Sequence, residues 1–252
     1  MDAPPDPADV ESLARARAHV LARIAAACER AGRSPAEVTL VAVSKTVPAD
    51  RLRAAVAADL TILGENRVQE GEDKRPVVPG ATWHLIGPLQ SNKVRRALEA
   101  YDVIESVDSV SLAARLDRVA REVRGSGPDA RYPILLQVNV DDDPAKAGFA
   151  PGDLPAALAA INGLDALEIR GLMTIGRQVP DAETARPTFR ALRELAGRLR
   201  GEGSGLGPDL SMGMTEDFEV AVEEGATMVR VGRAIFGERT HAQGDAPPGH
   251  DQ

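Results

Sequence analysis

Short apolar runs and amphipathic stretches alternate along this chain eight times, and few folds accept that rhythm. The apolar runs cover residues 38–45, 61–66, 82–89, 103–107, 132–140, 167–175, 209–213 and 228–232. Helical patterns at 49–58, 92–100, 109–123, 151–161, 183–200 and 215–224 fall between them. Strands that are apolar on both faces need cover on both sides, and crossover helices between them make neighbouring strands parallel. Eight such units in 252 residues predict a single α/β domain, a closed (β/α)8 TIM-type barrel. An open doubly wound sheet is the alternative that the pattern alone leaves standing.

One more helix precedes the first run. Asp6 stands where a helix cap belongs and Pro7 where a first helical residue belongs. Leu13, Val20, Leu21, Ile24 and Cys28 then recur at roughly helical spacing, and Gly32 stops the pattern. Cys28 reads as a small core residue, and as the only cysteine it can form no internal disulfide. The barrel domain is expected over residues 7–240, with Pro-rich residues 1–6 and Gly/Pro-containing residues 241–252 as tails.

Composition narrows the function classes. An apolar share of 43% suits a packed core, and 38 acidic against 30 basic side chains argue against a general nucleic-acid binder. No run approaches the roughly 20 apolar residues that cross a bilayer, and no secretory pattern opens the chain, so a cytoplasmic location is expected. No Cys/His cluster has metal-ligand spacing. The adjacent carboxylates Asp141, Asp142 and Asp143 read as a solvated loop, and Arg121 and Arg124 as helix-end charges that complement the dipole.

In a barrel of this kind the ligand site forms at the carboxyl ends of the strands. The polar residues there are Lys45, Asn66, His84 or Gln90, Ser106, Asn139, Thr174, Ser211 and Arg230. Lys45 ends a buried strand. Desolvation in the barrel mouth would favour its neutral amine, a nucleophile able to form a Schiff base; the plainer reading is a lysine that snorkels to solvent. The Gly-rich stretches 211–215 and 228–237 follow the last two strands, where this fold places its phosphate cradle. Ordinary turn glycine is the plainer reading there. A buried lysine beside a phosphate cradle describes a site for a phosphorylated aldehyde, of which pyridoxal phosphate is the commonest cofactor.

At these residues the chain resembles the pyridoxal phosphate homeostasis protein family, the YggS/PROSC-type proteins. The resemblance rests on LVAVSKTVPAD around Lys45, LGENRVQE at 63–70, WHLIGPLQSNK at 83–93 and IESVDS at 104–109. It continues with a shorter QVNV…KAGF element, GLMTIG at 171–176, and LSMGMTEDFEVAVEEGATMVRVGRAIFGER at 210–239. The family in turn resembles the barrel half of bacterial alanine racemases. By that likeness Lys45 holds pyridoxal phosphate as a Schiff base, and Ser211, Gly213, Gly232 and the backbone of Arg233 contact its phosphate. Arg230 faces the pyridine nitrogen, while Asn66 and His84 lie near the ring.

The resemblance implies a carrier that holds the cofactor, keeps its free aldehyde low and releases it to apo-enzymes. A PLP-dependent amino-acid racemase is the alternative. An arginine against the ring nitrogen stays charged and cannot accept its proton, which weakens the ring as an electron sink; an ion pair of Arg230 with Glu224 is the competing reading. Racemisation also needs a second acid/base group. Tyr101 and Tyr132 precede their strands and are expected at the opposite mouth, and His84 reads as a satisfied core histidine or a ring neighbour. Trp83 alternates to the outer face of its strand. The racemases' second domain has no counterpart in the pattern, so a monomer is expected.

Overall fold

Asp6 accepts a hydrogen bond from the Ala8 N–H at 2.9 Å and opens helix α1, Pro7–Arg30. At its far end Gly32, at φ +64°, lets the Arg33 N–H reach Cys28 O at 2.9 Å and its own N–H reach Glu29 O at 3.2 Å. That pair of bonds satisfies carbonyls the helix would otherwise leave open. The computed structural model describes residues 4–125, 127, 130–177 and 179–237. Expectations for residues 1–3 and 238–252, including most of both tails, lie outside the described residues.

Eight strands follow: β1 Thr39–Val43, β2 Ile62–Glu65, β3 Thr82–Leu85, β4 Val103–Val107, β5 Tyr132–Gln137, β6 Leu167–Met173, β7 Asp209–Met214 and β8 Met228–Val231. All neighbours are parallel, and β1 pairs with β8, so the sheet closes into a barrel and the open-sheet alternative falls. Around it lie α2 Ala49–Ala57, α3 Val68–Lys74, α4 Val94–Ala100, α5 Val110–Arg124, α6 Leu154–Ile161, α7 Arg186–Gly201, α8 Phe218–Glu223 and α9 Arg233–Phe236.

Helix α5 shows how the shell is made. The Ser109 hydroxyl caps it by accepting from the Leu112 N–H at 3.3 Å. Leu112, Ala113, Leu116, Val119 and Ala120 then form one buried stripe. Fully burying a side chain such as Leu116 stabilises the fold by about 1.5–3 kcal/mol. Trp83 belongs to the same shell between strands and helices, as its alternation predicted. A second, smaller cluster of Val103, Leu135, Met173 and Met228 sits apart from that shell and is contributed by four different strands. Alternation places these residues on the lumen side, on the same faces of β4 and β8 as Glu105 and Arg230 two positions on.

Several expected boundaries move. Residues 86–89 do not continue β3, because Gly87 and Pro88 turn the chain. Residues 138–140 leave β5, with Val138 making only an isolated bridge to Phe149. Helix α8 starts at Phe218 rather than near Glu216, since Asp217 folds back to accept from the Met214 N–H at 2.6 Å. Helix α3 had no expectation at all. Ser211 and Gly213 lie within β7 as the 209–213 run predicts, and the strand continues to Met214 rather than turning at 211–215, with the register shifting between Ser211 and Met214. Gly213 has φ +88°, and a Cβ there would stand 2.5 Å from that of Ala221. Its glycine serves the packing of β7 on α8.

Candidate functional site

Two layers of polar groups sit toward the carboxyl ends of the strands. The lower one is a chain of side chains from β3, β4, β7 and β8. Glu105 is fully buried and accepts from the Ser211 hydroxyl at 2.5 Å, and its other oxygen lies 2.6 Å from His84 Nδ1. A carboxylate can only accept, so Nδ1 carries the proton. The Arg230 guanidinium donates to Ser211 Oγ at 2.7 Å and to Thr174 O at 2.8 Å. Burial opposes ionisation of Glu105, but the bond and charge of His84, the Arg230 charge and the Ser211 hydroxyl outweigh it and hold its carboxyl below the usual range. Burial pulls Arg230 below its ordinary value, against the charges of Glu105 and Asp217; it remains a cation. The competing ion pair of Arg230 with Glu224 is not formed, because Glu224 is gripped by Arg186, Arg190 and Arg193.

Above this layer opens a cleft of about 1020 Å³. Lys45, Arg230, Gly232 and Arg233 line it together, with Thr215 and the cations Arg51 and Arg177. The Gly232 N–H donates to Thr215 Oγ1 at 3.3 Å and ties the β7 and β8 loops to each other. A Cβ on Gly232 would lie 3.3 Å from both Val43 Cβ and Val43 O, so the glycine lets β8 draw close to β1 beside Lys45. Arg233 is exposed and pairs with Glu216 at 2.6 Å.

The other four expected site residues stand apart from the lining. His84 and Ser211 are in the layer below, and the Ser211 hydroxyl is engaged on both sides. Gly213 faces α8. Asn66 is half-buried and its backbone lies against Gly87, where a Cβ would come within 2.2 Å of Asn66 O. Of the remaining strand-end polar residues, Ser106 donates to Gly87 O and Thr174 to Val138 O, each tying one strand end to its neighbour, while Asn139 donates to Asp143 O within its own loop. Asp141 is likewise taken up in the loops, accepting from the Thr188 hydroxyl at 2.6 Å.

Sequence reasoning missed four carboxylates. Glu105 and Glu65 are strand residues, and an acid inside an otherwise apolar strand was the available signal. Asp181 and Asp217 line the cleft. Asp181 accepts from the Thr184 N–H and hydroxyl, and burial pushes the Asp217 carboxyl up against the Met214 bond and the Arg230 charge. The tyrosines stay out of the cleft lining. Tyr132 donates to Tyr101 O, and the Tyr101 hydroxyl accepts from the Gly71 N–H and donates to Arg67 O at the start of α3.

Glu65 also carries a pH dependence. Burial pushes its carboxyl from 4.5 up to about 7, against the charge and bond of Lys74 and the Ser44 hydroxyl. Between those values the folded chain keeps a proton that the unfolded chain has shed. This contribution to stability is whole below about pH 4.5 and is lost as pH rises through about 7, a change of about 3 kcal/mol. Glu65→Gln, neutral throughout, is expected to flatten that segment of the stability curve, measured by urea denaturation across the window.

The closed barrel that carries this cleft is of the alanine racemase N-terminal domain class, and that family matches residues 16–240. An alanine racemase of Clostridium difficile superposes with a TM-score of 0.63 at 15% identity, covering 82% of this chain and 53% of the racemase, which shows the fold alone. The pyridoxal phosphate homeostasis protein of Pseudomonas aeruginosa is 43% identical over 235 residues, 92% of this chain and 98% of that protein. PipY of Synechococcus elongatus, solved with PLP bound, is 42% identical with a TM-score of 0.74 and covers 86% of this chain and 100% of PipY. The chain belongs to the pyridoxal phosphate homeostasis protein family.

Proposed function

We propose that this protein holds pyridoxal phosphate in the cleft through Lys45 and serves supply of the cofactor rather than turnover on it. The observation that carries the reading is the meeting of Lys45 and Arg230 in one cleft beside the Thr215–Gly232 tie. The residues present fit the group. Arg51, Arg177 and Arg233 give the rim cations for a phosphate, and Gly232 leaves room where a side chain would crowd Val43. Bound there, the cofactor would supply an aldehyde with which the Lys45 amine would condense with loss of water. Arg230, fixed by Ser211 and Thr174, presents a cation that cannot take a proton from the ring nitrogen.

The support for supply over turnover is twofold. The relative from Pseudomonas aeruginosa is named for homeostasis, and the cleft carboxylates are spoken for: Glu216 by Arg233, Asp181 by Thr184 and Asp217 by the Met214 N–H. Among the described residues no histidine, tyrosine or cysteine lines the cleft. In this reading the protein works as a cytoplasmic monomer that passes the cofactor to apo-enzymes; no helix among the described residues is long and apolar enough to cross a membrane.

The test is an absorbance spectrum of purified protein mixed with pyridoxal phosphate, before and after borohydride, followed by peptide mapping. A visible band that borohydride bleaches, with the reduced adduct on the Lys45 peptide, is the expected result, together with no racemisation of alanine or serine above background. A colourless mixture, or an adduct on other lysines only, overturns it.

A further inference from the structure

The backbone on either side of Lys45 is held by a cluster that does not line the cleft. Thr46, a β-branched residue, sits at φ +65°, a conformation such residues adopt only when their surroundings impose it. Its N–H donates to Glu70 Oε2 at 2.9 Å. On the other side, Ser44 O accepts from Lys74 Nζ at 3.0 Å, and the Ser44 hydroxyl donates to Glu65 Oε1 at 2.7 Å. Lys74 joins the halves: its ammonium also donates to Glu65 Oε1 at 2.8 Å and to Glu70 Oε2 at 3.0 Å. All three of its protons are thereby used, each on a group that holds residue 44 or residue 46. The Lys74 side chain is 12% exposed and that of Glu65 is fully buried, so little water competes for these bonds.

We propose that Lys74 is a positioning residue for Lys45: with Glu65 and Glu70 it clamps the peptide groups on both sides of that lysine and so sets the direction in which its amine enters the cleft. The role rests on the proposed use of Lys45 as the reactive amine. It requires no contact between Lys74 and a ligand. Without the clamp, the left-handed turn at Thr46 keeps the Val47 N–H to Ser44 O bond of 3.0 Å but loses the bond to its own N–H, and Lys45 samples directions away from the cleft.

The test separates aim from affinity. Protein is mixed with saturating pyridoxal phosphate and the rate of borohydride-trapped adduct on Lys45 is followed by mass spectrometry. In parallel, pyridoxamine phosphate, which has the same ring and phosphate but no aldehyde, is titrated by calorimetry. Lys74→Met is expected to slow trapping about tenfold while pyridoxamine phosphate binds within about twofold of the unaltered protein. Glu70→Ala, at a half-buried position that a fold tolerates better, is expected to slow trapping in the same selective way and stands in should Lys74→Met fail to fold. Trapping at the unaltered rate in both variants overturns the proposal. So does an equal loss of trapping and of pyridoxamine phosphate affinity, which is what general loosening gives. Absence of any Lys45 adduct in the unaltered protein instead overturns the functional reading, and this role with it.

Discussion

Glu105→Ala is expected to lower the free energy of unfolding by about 3–5 kcal/mol, because it removes the buried acceptor of Ser211 and His84 and one of the two negative charges that face the buried Arg230. The Arg230 guanidinium is 3% exposed; it keeps its bonds to the Ser211 hydroxyl and the Thr174 carbonyl and the charge of Asp217, but loses that of Glu105. His84 Nδ1 would lose its acceptor at the same time. The cavity left by the side chain adds to the loss. Restoring size without charge, as in Glu105→Gln, should recover only part of it. Removing both charges in Glu105→Leu with Arg230→Met should recover more than either single change predicts, since no unpaired ion then remains. Urea denaturation of the unaltered chain, Glu105→Leu, Arg230→Met and the double variant measures the cycle, with Glu105→Ala and Glu105→Gln alongside. A loss under about 1.5 kcal/mol for Glu105→Ala would mean that the arginine escapes to solvent and that the layer is not a closed network.

The second large effect is steric. Gly171→Ala is expected to cost about 3 kcal/mol or more, because the new methyl would lie 1.9 Å from Asp209 O and 2.6 Å from its carbonyl carbon. These are backbone atoms of the neighbouring strand, so no flexible side chain can give way. Strands β6 and β7 must part, and the Thr174 N–H to Ser211 O bond of 3.1 Å spans that same gap. Thr174 and Ser211 are the two groups that hold Arg230. The variant should therefore show weakened cofactor retention along with a lowered thermal midpoint. A protein that melts within a degree or two of the unaltered chain would contradict the clash.

The strands were legible because parallel strands buried on both faces read as unbroken apolar runs, and their ends were not, because the turn-forming residues Gly87 and Pro88 lie inside one such run. Helix α3 escaped notice for a different reason. VQEGEDK has seven residues and one apolar side chain, so no stripe announces it, and its place is fixed by packing and by Tyr101 beneath Gly71. Of the cleft residues, Lys45 and Arg230 were legible from their position at strand ends, and Gly232 and Arg233 through the family resemblance. The groups that hold them were not. Glu65, Glu70, Lys74 and Glu105 reach their partners through contacts between strands and helices as far as 106 positions apart, a distance over which local spacing carries no information. Ser211 and Gly213 fell both in the expected seventh strand, 209–213, and in a Gly-rich stretch read as the turn after it; the strand reading holds, because a left-handed glycine lets a strand kink and continue.

The small cluster of Val103, Leu135, Met173 and Met228 has a bearing on the Glu105–Arg230 layer. Its side chains are buried on the lumen side, and Val103 and Met228 stand two residues before Glu105 and Arg230, so hydrocarbon rather than water adjoins that polar layer. In the proposed reading a ligand held by Lys45 enters and leaves through the cleft that Lys45 lines, and a recipient would meet it there.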